Sequence, residues 1–264
     1  MQHFLCLPYS EFKQMKTIAI AGKGGTGKTT LTALIIHWIR ENRTRSILAV
    51  DADSNVNLND LLGVPIKETV GAIREEMRKS VNNIPGGMTK QQFLEYKIQS
   101  SLVESLDFDL IAMGRPEGPG CYCYANNLLR EILQSLGENY EFMVIDNEAG
   151  MEHLSRRTTQ TIDYLLIVSD PSPRGVRAAG RISNILEELD TRVKKRYLIL
   201  NRVQNQPSEA VSKTIEETGL TLLEAIPEDP ALLTMDRNGT PVSNASEEFP
   251  AYRAVSHLMD KLKL

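Results

Sequence analysis

The amino-acid sequence predicts a doubly wound α/β fold, a single mostly parallel sheet with helices on both of its faces. Three observations carry this expectation. Short apolar runs alternate with longer amphipathic stretches nearly throughout the chain. The runs are continuously apolar, as in KTIAIAG (16–22) and YEFMVID (140–146), which is typical of strands covered on both faces in a parallel sheet. A glycine-rich turn also lies between the first run and the first helical stretch, at the carboxyl end of a strand, where such folds bind ligands.

The elements follow in order. KTIAIAG reads as a buried strand. GKTTLTALIIHWIRENR reads as a helix, because Leu31, Leu34, Ile35, Trp38 and Ile39 recur at helical spacing. SILAVDAD is a second strand, and FDLIAMG, YEFMVID, DYLLIVSD, KRYLILN and LTLLEAIP supply five more. Helices are expected near 125–136, 174–189, 208–218, 229–237 and 247–262. Residues 66–106 are polar, rich in Gln and Lys and helix-like, suited to a client-binding surface or to simple packing. With no internal repeat, low-complexity tract or dividing linker, residues 15–264 read as one domain. Residues 1–14 read as an extension before a second start at Met15, and Cys6 falls outside the core.

The 264 residues are 41% hydrophobic and 24% charged, with a formal net charge of −4. That balance gives no general pull toward nucleic acid or anionic membranes, so neither is expected as a partner. No apolar run is long enough to span a bilayer. The opening segment lacks the basic start and apolar middle of a secretion signal. With only three cysteines, the chain reads as a protein of the reducing cytoplasm.

Gly22, Lys23, Gly24, Gly25, Thr26, Gly27, Lys28 and Thr29 match the Walker A pattern in full. Glycines let the backbone curl into a nest of N–H donors around phosphate, and the following helix N-terminus adds positive potential. Lys28 is expected on the β- and γ-phosphates and the Thr29 hydroxyl on Mg²⁺. Thr30 belongs to the same nucleotide-binding segment. Asp146 ends the strand YEFMVID and suits the Walker B role, holding Mg²⁺ through water. Asp51 and Asp53 end the second strand, and Asp53 is the candidate for orienting the attacking water. Gly150, in DNEAG, is placed to offer a backbone N–H to the γ-phosphate within a switch loop over 146–154. Asn201 is expected at an adenine edge, with Pro227, Glu228 and Asp229 lining the base from the other side. Gln204, where guanine-specific sites carry an aspartate, weakens a guanine reading. His37 and His257 lie on helix patterns and read as structural.

With these residues in place, the chain resembles the deviant Walker A ATPases, the group of MinD, ParA and the nitrogenase iron protein, from about Met15 onward. The marker is the extra lysine of KGGTGKT, Lys23. The resemblance implies that Lys23 crosses a nucleotide-bridged homodimer to the partner's phosphates, a catalytic cation delivered in trans. Within that group, Cys121-Tyr122-Cys123 in GPGCYCYANN and the stretch DNEAGMEHL are similar to the CooC-type nickel-insertion ATPases, which mature carbon monoxide dehydrogenase, and to their relatives serving acetyl-CoA synthase. An iron–sulfur cluster of the nitrogenase type is not expected, since the switch loop after Asp146 holds no cysteine.

The cysteine pair makes sense against that background. Two thiolates one residue apart cannot easily complete a tetrahedral site, but two copies of the loop at a twofold interface supply four sulfurs. That set suits Zn²⁺, and Ni²⁺ in square-planar or tetrahedral form. A pair of buried inert thiols and a redox dithiol are the competing readings, and His153 reads as a hydrogen-bonding residue of the switch loop. The expected function is an Mg-dependent ATPase that binds ATP and ADP. It would insert nickel into a client enzyme, either carbon monoxide dehydrogenase or acetyl-CoA synthase. The alternatives are a positioning ATPase that binds membrane or DNA, and an electron-transferring iron-protein relative.

Overall fold

A computed structural model describes residues 15–43, 46–79, 87–114, 139–148, 161–188 and 192–264. The central strands β1, β2, β5 and β6 form where the sequence is apolar on both sides. The first half comprises β1 (Lys16–Gly22), α1 (Lys28–Asn42), β2 (Ile47–Asp51), α2 (Leu58–Leu62), α3 (Val70–Lys79) and α4 (Lys90–Ser100). The sheet continues with β3 (Val103–Glu104), β4 (Asp109–Ala112), β5 (Phe142–Asp146) and β6 (Thr161–Ser169). The second half adds α5 (Pro173–Glu188), β7 (Arg192–Val203), α6 (Glu209–Thr218), β8 (Leu222–Pro227), α7 (Pro230–Arg237), a 3₁₀ turn at Val242–Asn244, and α8 (Pro250–Leu262).

Eight strands form one sheet in the order β3-β4-β2-β5-β1-β6-β7-β8. Every neighbouring pair is parallel except β3 with β4. The expected doubly wound, mostly parallel architecture is therefore the observed one. Two details depart from the sequence reading. Residues 66–106 hold not only helix but the two-residue antiparallel strand β3, and the short helix α2 follows the second strand in a segment to which no element was assigned. The helix expected at 125–136 lies outside the described residues.

The sheet divides the core into two layers. One face packs α1 and α8, with Leu34, Ile35, Trp38, Tyr252, Val255 and Met259 buried against Ile18, Ile20 and Val144. The other face packs α3, α4, α5 and α6 through Ile73, Ile98, Val176, Leu186 and Val211 against Ala19, Val50 and Ile145. Alternate residues of one strand thus enter opposite layers, which is why the strands read as unbroken apolar runs. His37 is 2% exposed and its Nε2–H donates to the Ala245 carbonyl at 2.9 Å. That bond ties α1 to the segment before α8, a structural role, whereas His257 sits on the exposed side of α8.

Candidate functional site

The glycine-rich turn joins β1 to α1 at the centre of the sheet, between strands β5 and β6. Gly25 and Gly27 hold φ of +79° and +87°, a region that penalises residues with a Cβ. At Gly27 a Cβ would also lie 2.4 Å from the Asn201 amide nitrogen. The turn folds around the Lys23 carbonyl, which accepts from the Thr26 hydroxyl at 2.8 Å and the Lys28 ammonium at 3.3 Å. Gly22 and Thr26 are inside, whereas the side chain of Lys23, like Gly24 and Gly25, is exposed. Thr29 and Thr30 open α1 and are half-buried.

Lys28 is only 7% exposed. Burial lowers the pKa of its ammonium, while Asp146, Asp53 and Glu148 pull the other way. Asp146 and Asp51 end adjacent strands as register partners and are 1% and 0% exposed. Burial pushes Asp146 up to about 7 against a hydrogen bond from Thr29 and the charge of Lys28, and the charges of Asp51 and Asp53 push it up further. The Thr32 hydroxyl lies 3.4 Å from the same carboxylate.

Asp51 is raised by burial as well, although its carboxylate accepts backbone N–H bonds from Asp53, Asn57 and Leu58 at 3.0 Å each. Those three bonds make Asp51 the organiser of the loop after β2. Asp53 is set out from that loop, half-buried, with Oδ1 accepting from the Asn55 N–H at 2.8 Å. The Ser54 hydroxyl donates to Glu148 at 3.1 Å and so connects the loops that follow β2 and β5. Asn147 anchors its own loop by donating to the Ile20 carbonyl at 2.8 Å.

Among the described residues no three His, Cys, Asp or Glu side chains converge into a metal site of their own. Oxygen donors without a full protein cage suit Mg²⁺, which takes one or two protein oxygens together with phosphate and water. The donors present, the Thr29 hydroxyl and the Asp146 carboxylate, fit that requirement.

A cavity beside the turn is lined by Gly27, Thr30, Asn201, Arg202, Pro227, Glu228 and Asp229, with Leu31, Leu34, Ile226, Leu232 and Ala251 as its apolar wall. Its lining combines polar groups beside the phosphate loop with an apolar wall. Asn201, expected at an adenine edge, uses its amide N–H to hold the Thr26 carbonyl at 2.8 Å. Asp229 is 5% exposed and its carboxylate is fully engaged. It caps α7 through Ala231 and Leu232 N–H and reaches the Ala251 N–H of α8 at 3.1 Å. Glu228 accepts from Gln204 at 2.6 Å.

Sequence reading gave no individual role to Arg202, Thr32, Asn147 or Glu148. Only Asn147 and Glu148 carried a local signal, by lying within the stretch 146–154 expected as a switch loop. Gly150, His153, Cys121 and Cys123 lie outside the described residues.

A phosphate-loop turn on a parallel sheet, with buried acids at the neighbouring strand ends, defines a nucleotide-binding P-loop protein. The chain belongs to the CobQ/CobB/MinD/ParA nucleotide binding domain family, whose model matches residues 17–242. It is 44% identical over 247 residues to an uncharacterised ATP-binding protein of Methanocaldococcus jannaschii, covering 93% of this chain and 97% of that one. It is 29% identical over 266 residues to the carbon monoxide dehydrogenase accessory protein CooC of Rhodospirillum rubrum, covering 92% and 94%. Among solved structures, the MinD cell division protein of Aquifex aeolicus superposes with a TM-score of 0.67 at 25% identity, over 94% and 96% of the two chains.

Proposed function

We propose that this chain is an ATP-dependent nickel-insertion factor for carbon monoxide dehydrogenase or acetyl-CoA synthase, working as a nucleotide-bridged homodimer. The observation that carries it is the union, in one chain, of a phosphate loop bearing Lys23 with the Cys121/Cys123 pair. The similarity to CooC along nearly the whole chain supports it.

In this reading the Lys28 ammonium draws the β- and γ-phosphates into the turn, and the amides of 24–29 wrap them. Thr29 and, through water, Asp146 would hold Mg²⁺, which supplies positive charge against the transferring phosphoryl group. Asp53 aligns the attacking water, and Gly150 offers its N–H to the γ-phosphate. Lys23, exposed on its own protomer, reaches the phosphates of the other, so turnover requires the closed dimer. Closure brings two Cys121/Cys123 pairs together around one Ni²⁺ or Zn²⁺, the cargo, and hydrolysis reopens the cage toward the client. Nucleotide and cargo then stabilise the same dimer and are linked thermodynamically.

A membrane-positioning role is less well supported. The C-terminal helix α8 buries Tyr252, Val255, Leu258, Met259 and Leu262 in the protein, and its Lys261 is held by Glu224 at 2.9 Å. Its apolar face is therefore committed to the core, and among the described residues no helix is long and apolar enough to cross a membrane.

The test is the double variant Cys121→Ser/Cys123→Ser, with nickel and zinc stoichiometry measured anaerobically alongside nucleotide binding. Metal binding should vanish while ATP and ADP bind as in the parent. Unchanged metal stoichiometry removes the metal-delivery reading.

A further inference from the structure

Helix α5 carries three arginines on one face. Arg174, Arg177 and Arg181 are spaced three and four residues apart, so they line up along the helix, and all three are exposed. Ile185, four residues further on, continues the row and is 45% exposed, which makes the stripe about 16 Å long. The other side of α5 is fixed. Val176, Ala179 and Leu186 are buried in the core, and a Cβ at Gly180 would stand 2.7 Å from the Thr218 methyl of α6. The helix therefore cannot roll to hide its arginines.

Nothing in the described fold compensates these charges. Among the described residues, no hydrogen bond, ion pair or ring contact engages any of the three. By contrast, Lys97, Lys194 and Lys261 hold carboxylates at 3.0, 2.7 and 2.9 Å. Like charges three and four residues apart repel one another along a helix. The first turn of α5 also holds no acid, and there the helix dipole disfavours Arg174. The stripe works against the helix that bears it and gains nothing inside the molecule.

We propose that the row of Arg174, Arg177, Arg181 and Ile185 is a docking surface for an acidic protein segment. Charge complementarity selects the occupant. Guanidinium forks pair with carboxylates two bonds at a time, and arginine is enriched where proteins meet. An acidic segment cancels the repulsion along α5, and an apolar side chain on it covers Ile185. Nucleic acid fits less well, because a chain of net charge −4 has no wider pull toward phosphate and Ile185 would be left bare. A lipid surface needs a broad apolar face, and that of α5 is spent on the core. The surface lies outside the nucleotide site and stands whether or not the cargo is a metal.

The experiment uses the full chain and follows binding of a labelled helical peptide by fluorescence anisotropy. The peptide carries glutamates three and four positions apart with a leucine four positions beyond, and a control of equal composition scatters the glutamates around the helix. The matched peptide should bind more tightly than the control and weaken as salt rises. Arg177→Glu/Arg181→Glu should lose about tenfold or more in affinity, with melting temperature and ADP binding like the parent. Arg177→Gln/Arg181→Gln, which removes charge without reversing it, should lose most of the binding too. Equal binding by parent and both variants, or equal binding of matched and scattered peptides, overturns the proposal. So does a variant-sensitive affinity for duplex DNA or phosphatidylglycerol vesicles in place of the peptide, which would assign the stripe to phosphate.

Discussion

Asp51 and Asp146 stand side by side at the ends of neighbouring parallel strands, as direct register partners with both carboxylates out of solvent. They differ in what satisfies them. Asp51 accepts three backbone N–H groups, whereas Asp146 has hydroxyl contacts from Thr29 and Thr32 and the nearby charge of Lys28. The first is wired into the backbone and the second is met by side chains alone.

That difference predicts a pH dependence. Burial pushes the Asp146 carboxyl up to about 7 from its ordinary 3.8. Between those values the folded protein keeps a proton that the unfolded chain has released. The stability from the protonated carboxyl is complete below the lower value and lost as pH rises through the upper one. In EDTA without nucleotide, the Asp146 contribution to the parent's melting temperature should therefore fall between about pH 4 and 7. The difference from Asp146→Asn should be on the order of a few kcal/mol. A parent-minus-variant curve flat across this window would contradict the buried, poorly compensated state of Asp146.

Lys23 and Asp53 should separate by variant. Lys23→Ala is expected to bind ADP as the parent does, fail to dimerise with ATP, and lose roughly 10³-fold in turnover, as for a cation supplied in trans. Asp53→Ala should retain the ATP-bound dimer but release phosphate roughly 10²-fold more slowly. Equilibrium sizing and phosphate release check both, and normal turnover in either variant removes that residue from the mechanism.

Asp229 lines the cavity beside the phosphate loop, yet its carboxylate serves the fold. Asp229→Ala removes a helix cap and the tether to Ala251, a cost of about 2–3 kcal/mol. Melting should drop by roughly 5–10 °C. Asp229→Asn, which keeps an accepting oxygen for the cap, should recover part of that. Loss of nucleotide affinity with unchanged melting would instead mark Asp229 as a ligand contact.

Gly27→Ala should damage the site at its narrowest point. The Cβ would displace the Asn201 amide from the Thr26 carbonyl and strain a left-handed position. The conformational part alone costs about 1–2 kcal/mol. Nucleotide binding should fall further than melting does, and a variant binding ADP like the parent would show that the loop tolerates the displacement.

The sheet was legible because burial on two faces leaves an unbroken apolar signature, as in Ile18–Ala21 and Phe142–Ile145. The phosphate loop was legible because its chemistry lies in one contiguous stretch. Residues whose roles depend on distant partners were not. Arg202 carries no local mark, since its partner Gly25 meets it only after β7 has crossed to the far side of β6. Asp229 looks in sequence like a base-lining acid, but its tie to Ala251 is a tertiary contact. The two-residue strand β3 is below the length at which any periodicity can be read.

That small strand also governs how molecules of this protein can meet. Among the described residues, the sheet ends at the β3 border in only two residues, running against the direction of the rest. Such a rim offers too few free amides to recruit another chain by strand addition. Self-association through that side is discouraged, and fibrous aggregation along it is deterred.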